Sequence, residues 1–404
     1  MGSIDWRKPS AMLGCAAAIL AVSFGVRHTF GLFLHPISAS NGWGREVFAL
    51  AIAVQNLVWG LSQPFIGMLA DRIGAGKVVL GGAAIYALGV ALMALPQNAL
   101  VFILSTGILI GLGLGGTTST VVFGALGRAY SPEARSVAFG IAMAIGSFGQ
   151  FLFLPATPPL MDWLGWPSAL IALSILCATI VPLSFGLFET SSTLQSSPGL
   201  PWRQAVEQAF AHRGFWLLSA GFFVCGFQLV LIGTHLPAYL IDRGLSVGVG
   251  TAVLALIGLF NIAGTYWAGR WGARYSKPKL LVLIYLGRAL AIAAFVFLPV
   301  STWSAYAFGA VFGLLWLSTV PLTNGTVAVF FGVKNMSMLA GFVFLSHQIG
   351  AFLGGWIGGF VYDRLGSYDA AWTLAIGLSL LAAVLNFPIK EEPAAELASQ
   401  RAPA

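Results

Sequence analysis

Residues 67–77 read GMLADRIGAGK, a short charged stretch between two long apolar runs. The flanking runs, 46–69 and 78–96, are each about as long as the roughly 20 apolar residues that cross a bilayer as a helix. A connection this short, with one acid and two bases, is typical of a turn at a membrane surface. The same alternation of an apolar run and a polar connection continues along the whole chain, and it decides the fold class.

The composition agrees with a membrane protein. The 404 residues are 58% hydrophobic and only 8% charged, whereas a soluble globular protein carries about 25% charged residues. Lipid offers no hydrogen bonds to the backbone, and runs of this length favour helices over barrel strands. We therefore predict an all-α membrane protein with twelve transmembrane helices in two pseudo-symmetric six-helix bundles. The predicted helices cover residues 11–37, 46–69, 78–96, 99–125, 136–160, 167–188, 214–240, 247–268, 279–299, 302–328, 337–361 and 369–388.

The charges predict the orientation and the boundaries of the two halves. Only Arg45, Arg243 and Arg364 among the basic loop residues fall on one side, which favours the opposite side as the cytoplasm. Both termini are then cytoplasmic, in a plasma or bacterial inner membrane. The formal charge of +7 is spread between the apolar runs, so we expect no nucleic-acid partner. The predicted domains are an N-terminal bundle at 1–188, a cytoplasmic linker at 189–213, a C-terminal bundle at 214–390 and a tail at 391–404.

The stretch GMLADRIGAGK resembles the loop between the second and third helices of the major facilitator superfamily. The resemblance implies the fold of that superfamily and a secondary carrier that works by alternating access. It also implies that Asp71 acts as a latch, whose charge meets a helix N-terminus and a basic residue in one state of the cycle. We assign the predicted gating role to Asp71, Arg72 and Arg135.

Within that superfamily the chain resembles the monocarboxylate porter group, including its bacterial members. Two stretches carry the resemblance, FGLFLHPISASNGWGREVFALAIA (30–53) and GGFVYDRLGSYDAAW (358–372), together with a basic residue, Arg27, in the first helix. The group's acid and arginine in the eighth helix appear here as Asn261 and Thr265. The chain is also similar to the oxalate–formate exchanger, which binds its dianion with two basic side chains.

Two arginines, Arg27 and Arg288, lie inside predicted helices, while every acid lies in a loop or close to a helix end. An arginine at a helix centre costs about 2.5–3.5 kcal/mol, and no embedded carboxylate is available to neutralise it. A transported carboxylate would supply the missing anion and suits the planar guanidinium. The alternative is a structural arginine that donates to backbone carbonyl oxygens or, for Arg288, to a neighbouring helix.

Further polar residues within the helices complete a predicted substrate pocket. His28 and His347 are candidate proton carriers, because the histidine pKa lies near working pH, or else neutral hydrogen-bonding groups. Each neutral residue has the alternative of a hydrogen bond between helices. The neutral candidates are Thr117, Thr118, Gln228, Asn261, Asn324 and Gln348.

These features predict a secondary active transporter of a small organic anion, with a monocarboxylate as the first choice, coupled to protons or to a counter-anion. We expect a monomer in the lipid bilayer without metal or cofactor. We find neither HExxH nor GxSxG, so we predict no enzyme. Two alternatives stay open. A proton-driven exporter of apolar or cationic compounds would be expected to use embedded acids, and a solute sensor on a carrier fold would usually carry a signalling domain.

Overall fold

The computed structural model of the protein describes residues 8–43, 45–95, 98–190, 194 and 200–394. Within these ranges every long regular element is helical, and twelve helical segments are long and apolar enough to cross a membrane. This confirms the predicted all-α fold class. The predicted ends differ by several residues, because helices continue past the apolar run into polar connections.

We number the membrane-spanning segments span 1 to span 12 in chain order. Spans 1 to 6 cover Pro9–Asn41, Arg45–Ile73, Ala75–Met93, Ala99–Ala129, Pro132–Leu164 and Trp166–Leu187. Spans 7 to 12 cover Arg213–Asp242, Val247–Gly272, Lys277–Phe297, Thr302–Phe331, Met336–Leu365 and Asp369–Asn386. A short helix, Trp202–Ala211, precedes span 7 inside the predicted linker.

Four spans are interrupted. Span 1 consists of Pro9–Thr29, a 3-10 turn at Phe30–Phe33 and Leu34–Asn41. Span 4 consists of Ala99–Phe102, a π-helix at Ile103–Leu109, Ile110–Thr117 and Ser119–Ala129. Span 6 consists of Trp166–Ala178, Ile180–Ser184 and a 3-10 turn at Phe185–Leu187. Span 10 breaks between Thr302–Leu315 and Thr319–Phe331. Backbone groups freed at such points need partners from the protein, because lipid offers none.

Residue contacts group the chain into two units. Unit 1 contains residues 1–131, 145–198 and 333–341, and therefore includes the first residues of span 11. Unit 2 contains residues 132–144, 199–332 and 342–404, and therefore includes the first residues of span 5. The limits predicted for the four domains stay predictions, and part of the linker and of the tail lies outside the described residues.

A repeated carboxylate cap relates the two halves. In unit 1, Glu189 Oε2 accepts a hydrogen bond from the backbone N–H of Ala75, the first residue of span 3, at 3.0 Å. In unit 2, Glu391 Oε2 accepts from the backbone N–H of Lys277, the first residue of span 9, at 2.7 Å. In both cases 114 residues separate donor and acceptor. A carboxylate at a helix N-terminus is favourable, so the two halves solve the same end problem in the same way.

Glycines allow close contact between spans 3 and 4. A Cβ atom added at Gly113 would lie 2.7 Å from Cα of Tyr86. Gly81 lies in span 3, as Tyr86 does, but it has open space around its Cα, with nothing within 4 Å of an added Cβ. Small residues at such contacts let helix backbones approach, which drives packing in membranes.

We predict that Gly113→Ala lowers the midpoint of thermal unfolding in detergent, while the matched control Gly81→Ala leaves it unchanged or raises it slightly. Both changes favour the helix intrinsically by about 1 kcal/mol, but only Gly113→Ala forces an overlap, which costs about 1–3 kcal/mol. Fluorescence-monitored melting of both variants tests this. Equal midpoints for the two variants would show that spans 3 and 4 do not pack this closely.

Candidate functional site

Arg27 lies in span 1 and is half-buried. Its Nη2 donates to Oδ1 of Asn56 in span 2 at 3.0 Å, and its guanidinium carbon lies 5.9 Å from the centroid of the Phe30 ring. Its Nε is buried and has no hydrogen-bond partner. Among the described residues no carboxylate lies within ion-pair distance of Arg27. The guanidinium therefore keeps a buried donor that an anion would satisfy.

The helix turn next to Arg27 is fixed to spans 3 and 4. Ser23, one turn before Arg27, accepts at its carbonyl oxygen from the Tyr86 hydroxyl at 3.2 Å. The Ser23 hydroxyl donates to the carbonyl oxygen of Thr117 at 3.1 Å. Span 4 is interrupted at Thr118, so Ser23 also takes up a carbonyl group at that break. Arg27 is thus carried by a part of span 1 that side-chain hydrogen bonds hold in place.

Three other residues predicted near Arg27 bond within their own spans. The hydroxyls of Thr117 and Thr118 donate to carbonyl oxygens one turn earlier, at 3.0 and 2.7 Å. Nδ1 of His28 lies 2.7 Å from the carbonyl oxygen of Phe24. A carbonyl oxygen only accepts, so this contact places the proton on Nδ1 and leaves Nε2 as an acceptor in the neutral ring. Their predicted role in substrate binding stays a prediction.

Arg288, in span 9, has a different environment. It is fully buried, and its donors meet oxygen atoms of other spans. Nε and Nη2 donate to the carbonyl oxygen of Leu315 at 3.2 and 2.8 Å, and Nη2 also donates to that of Trp316 at 2.5 Å. Nη1 donates to Oε1 of Gln228 at 3.2 Å. These are the backbone and neighbouring-helix partners of the structural alternative, so a missing anion is not needed to explain this arginine.

The partners of Arg288 show why it lies there. Leu315 ends the first part of span 10, and the next helical part begins at Thr319. Asn261, in span 8, accepts at Oδ1 from the backbone N–H of Leu317 at 2.9 Å. Arg288 and Asn261 together satisfy donors and acceptors that the break leaves without helical partners. The structure thus brings two predicted site residues together around an interruption in span 10.

The remaining predicted residues of the second half lie in unit 2. Nδ1 of His347 lies 3.3 Å from Oε1 of Gln348, and the His347 ring stacks on Phe344. Gln228 also donates to the carbonyl oxygen of Ala375, at 3.0 Å. Nδ2 of Asn324 donates to a carbonyl oxygen one turn earlier, at 2.9 Å.

Sequence reasoning missed Cys225, the thiol next to Arg288. Its Sγ lies 3.5 Å from Nη2 of Arg288 and 3.2 Å from Oγ1 of Thr319. In the sequence Cys225 is one small residue within an apolar run, and its environment depends on the fold.

Asp71 forms a buried network at the end of span 2. Its Oδ1 accepts from Nη1 of Arg128 at 2.9 Å and from the backbone N–H of Ser337 at 3.2 Å. Its Oδ2 accepts from the backbone N–H of Met338 at 2.8 Å. Ser337 and Met338 lie in the first turn of span 11, within unit 1. Asp71 therefore meets a helix N-terminus and a base, the two partners implied for a latch.

The base in contact with Asp71 is Arg128, which the sequence prediction omitted. Arg72 is exposed and Arg135 is half-buried, and their predicted gating role stays a prediction. Glu189 holds Arg128 from the other side with two parallel bonds, Nε to Oε1 at 2.6 Å and Nη2 to Oε2 at 3.0 Å. The side chains of Arg128, Asp71 and Glu189 are 2–3% exposed. The sequence offered one signal for this network: Glu189 and Glu391 occupy equivalent places in the two halves, which marks Glu189 as more than an ordinary loop charge.

The first glycine of GMLADRIGAGK allows this network to form. A Cβ atom at Gly67 would lie 2.8 Å from the backbone nitrogen of Met338. A larger residue would push the first turn of span 11 away from Asp71. The motif therefore combines the charge with the space that the charge requires.

We predict that Arg128→Gln lowers thermal stability in detergent by several degrees more than Arg72→Gln. Removing one partner of a buried ion pair leaves an uncompensated charge and costs about 3–5 kcal/mol, whereas Arg72 is exposed. Melting of both variants, at matched membrane abundance, measures the difference. If the two substitutions destabilise the protein equally, Arg128 does not hold the two carboxylates.

Comparison with known proteins places this geometry in a family. The family model of the Major Facilitator Superfamily matches residues 13–355. Human monocarboxylate transporter 11 is 26% identical over 385 residues, which cover 90% of this chain and 79% of that protein. The uncharacterized MFS-type transporter YcxA of Bacillus subtilis (strain 168) is 25% identical over 392 residues, which cover 91% of this chain and 92% of that protein.

Solved structures agree on the fold. The E. coli fucose:proton symporter FucP superposes with a TM-score of 0.73 at 15% identity, over 94% of this chain and 98% of that chain. The human organic anion transporter MFSD10 superposes with a TM-score of 0.73 at 18% identity, over 95% and 100% of the two chains. At 15% and 18% identity, these structures support the fold and nothing about the substrate. Since the family model covers most of the chain, the protein belongs to the Major Facilitator Superfamily of membrane transporters.

Proposed function

We propose that the protein transports a small organic anion, with monocarboxylates as the first substrate class, and that Arg27 binds the anion. The main support is the environment of Arg27, a membrane-embedded cation that pairs with an amide and keeps a buried, unpartnered Nε. Relatives named monocarboxylate transporters, at about a quarter identity over most of the chain, support the substrate class.

The donors of Arg27 fit a carboxylate. Nε–H and one N–H of Nη2 lie on the same edge of a planar guanidinium, where they can donate side by side to two carboxylate oxygens. Arg128 binds Glu189 through this same edge, so the geometry already occurs in this fold. At Arg27 the Nη2 donor is occupied by Asn56 and the Nε donor is unpaired. A substrate carboxylate would replace the amide oxygen and satisfy both donors.

The comparison between the two arginines strengthens the assignment to Arg27. Every donor group of Arg288 meets a protein oxygen, and its bonds support the break in span 10. Binding an anion there would require those bonds to be given up. We therefore assign substrate binding to Arg27 and a structural role to Arg288.

Transport is coupled either to a proton or to a counter-anion. No carboxylate lies near the centre of a predicted helix, so a co-transported proton would travel on the substrate or on a histidine. His28 follows Arg27 directly, and its Nε2 is available as an acceptor when the ring is neutral. A carboxylate bound at Arg27 and a proton at His28 would together add no net charge to the site, so proton symport of a monocarboxylate would be electroneutral.

We predict that Arg27→Gln loses nearly all transport of the cognate carboxylate while it inserts and folds normally. A charge-assisted hydrogen bond contributes about 1.5–3 kcal/mol, so binding should weaken roughly ten- to a hundredfold. Arg27→Lys keeps the charge without the planar fork and should retain a fraction of transport. Counterflow in proteoliposomes against a panel of carboxylates identifies the substrate and measures the loss.

Arg288→Gln is the matched control, because it also removes a membrane-embedded charge. Its main effect should be lower abundance and a lower melting midpoint, with substrate affinity preserved in the protein that folds. An Arg27→Gln carrier that binds the anion as tightly as wild type would exclude Arg27 as the anion site.

We also predict the direction of proton movement. If the substrate enters together with a proton, its addition to de-energised cells should make the medium more alkaline, and a pH electrode measures the change. Rapid exchange that ignores an imposed pH gradient would contradict symport and indicate exchange for a counter-anion.

A further inference from the structure

The end of span 8 combines exposed aromatic side chains with bases. Residues 265–275 read TYWAGRWGARY. Trp267 is 45% exposed and Trp271 is 48% exposed, and their ring centroids lie 5.8 Å apart. Large exposed tryptophans beside bases are typical of the level where lipid head groups meet the apolar core.

An apolar cavity lies beside these tryptophans, between spans 8, 9 and 10 and wholly within unit 2. Its volume is about 470 Å³, and Trp267 and Trp271 form part of its wall. Leu283, from span 9, also lines it and is 64% exposed, so the cavity opens on the outer face of these spans. The lining has one side-chain hydroxyl, that of Ser318, which already donates to the carbonyl oxygen of Leu314 at 2.6 Å. The cavity therefore suits an apolar chain and offers little to a polar solute.

The bases adjacent in sequence to the cavity lining form no ion pair among the described residues. Arg270 and Arg274 are exposed and lie one turn apart, and Lys279 is exposed at the start of span 9. Among the described residues none of the three is within ion-pair distance of a carboxylate, since the neighbouring Glu391 pairs with Lys277. The chain contains no acid at all between Asp242 and Asp363. An anionic group at this position would meet bases that no carboxylate pairs.

We propose that this cavity holds an acyl chain of an anionic phospholipid whose head group lies against Arg270 and Arg274. The apolar wall accounts for the chain, the tryptophans for the depth, and the uncompensated arginines for the charge of the head group. Basic residues near a membrane surface attract anionic lipid with about 1 kcal/mol each.

The lipid would lie against the interruption of span 10. Leu315 and Leu322, on the two sides of the break, and Ser318, within it, all line the cavity. Arg288 holds the carbonyl oxygen of Leu315 from within unit 2. A chain in the cavity would cover the outer side of the same segment by apolar contact, while Arg288 and Asn261 supply the hydrogen bonds that the break requires.

Native mass spectrometry of the purified carrier tests the proposal, with phosphatidylglycerol and phosphatidylcholine of the same acyl chains titrated separately. Wild type should bind one phosphatidylglycerol more tightly than any phosphatidylcholine. The double variant Arg270→Gln/Arg274→Gln should bind that lipid roughly thirtyfold more weakly. The double variant Arg203→Gln/Lys390→Gln, which also removes two exposed charges, should bind it like wild type.

A second pair of variants tests the cavity itself. Ala263→Trp adds an indole to the cavity lining and should abolish the tight phosphatidylglycerol, although both arginines are present. Leu290→Trp, at an exposed position of span 9, is the control and should retain it. Equal affinity of wild type for the two lipids, or tight binding retained in Ala263→Trp, would overturn the proposal. These readouts need no transport substrate, so they are independent of the function proposed for Arg27.

Discussion

Every interruption of a helix within a bilayer needs protein groups to satisfy the freed backbone, and this constraint explains several of the buried polar residues in the spans. Water is absent from the core of the membrane, so an unpaired N–H or C=O group costs several kcal/mol. Arg288 and Asn261 satisfy the break in span 10, and Ser23 takes up a carbonyl oxygen at the break in span 4. Much of the polarity inside the helices thus serves the fold before any substrate arrives.

Arg27 and Arg288 show how far sequence can separate structure from function. Both are arginines in apolar runs without an embedded acid, and both carry the same insertion cost, so in the sequence only the family resemblance distinguishes Arg27. The two guanidinium groups differ in their hydrogen-bond partners. Arg288 faces carbonyl oxygens released by a broken helix, whereas Arg27 faces one amide and keeps an unpaired donor. The break in span 10 follows Leu314 and Leu315, which are ordinary helix formers, so it could not be predicted from the local composition.

The spans were predictable because lipid imposes one length and one kind of surface on each of them. The motif around Asp71 could be recognised because its glycines and charges are adjacent in sequence, and the latch role that its family resemblance implies stays a prediction. Its partners were not, since Arg128 lies 57 residues away and Glu189 a further 61. Which charges pair is decided only when spans 2, 4 and 6 meet. Local chemistry is readable from the chain, whereas pairing between distant spans depends on the packing of the finished bundle.

The two halves share a carboxylate cap but differ in the charge around it. Glu391 pairs with Lys277, so the cap of span 9 is neutral. Glu189 pairs with Arg128, but Arg128 also serves Asp71, so two carboxylates share one base in a buried site. The excess negative charge is stabilised by the first turn of span 11, whose N–H groups carry the positive end of the helix dipole. If this first turn moved away, Asp71 would retain only Arg128, which it shares with Glu189, so the network favours the arrangement in which the first turn of span 11 stays bonded to Asp71.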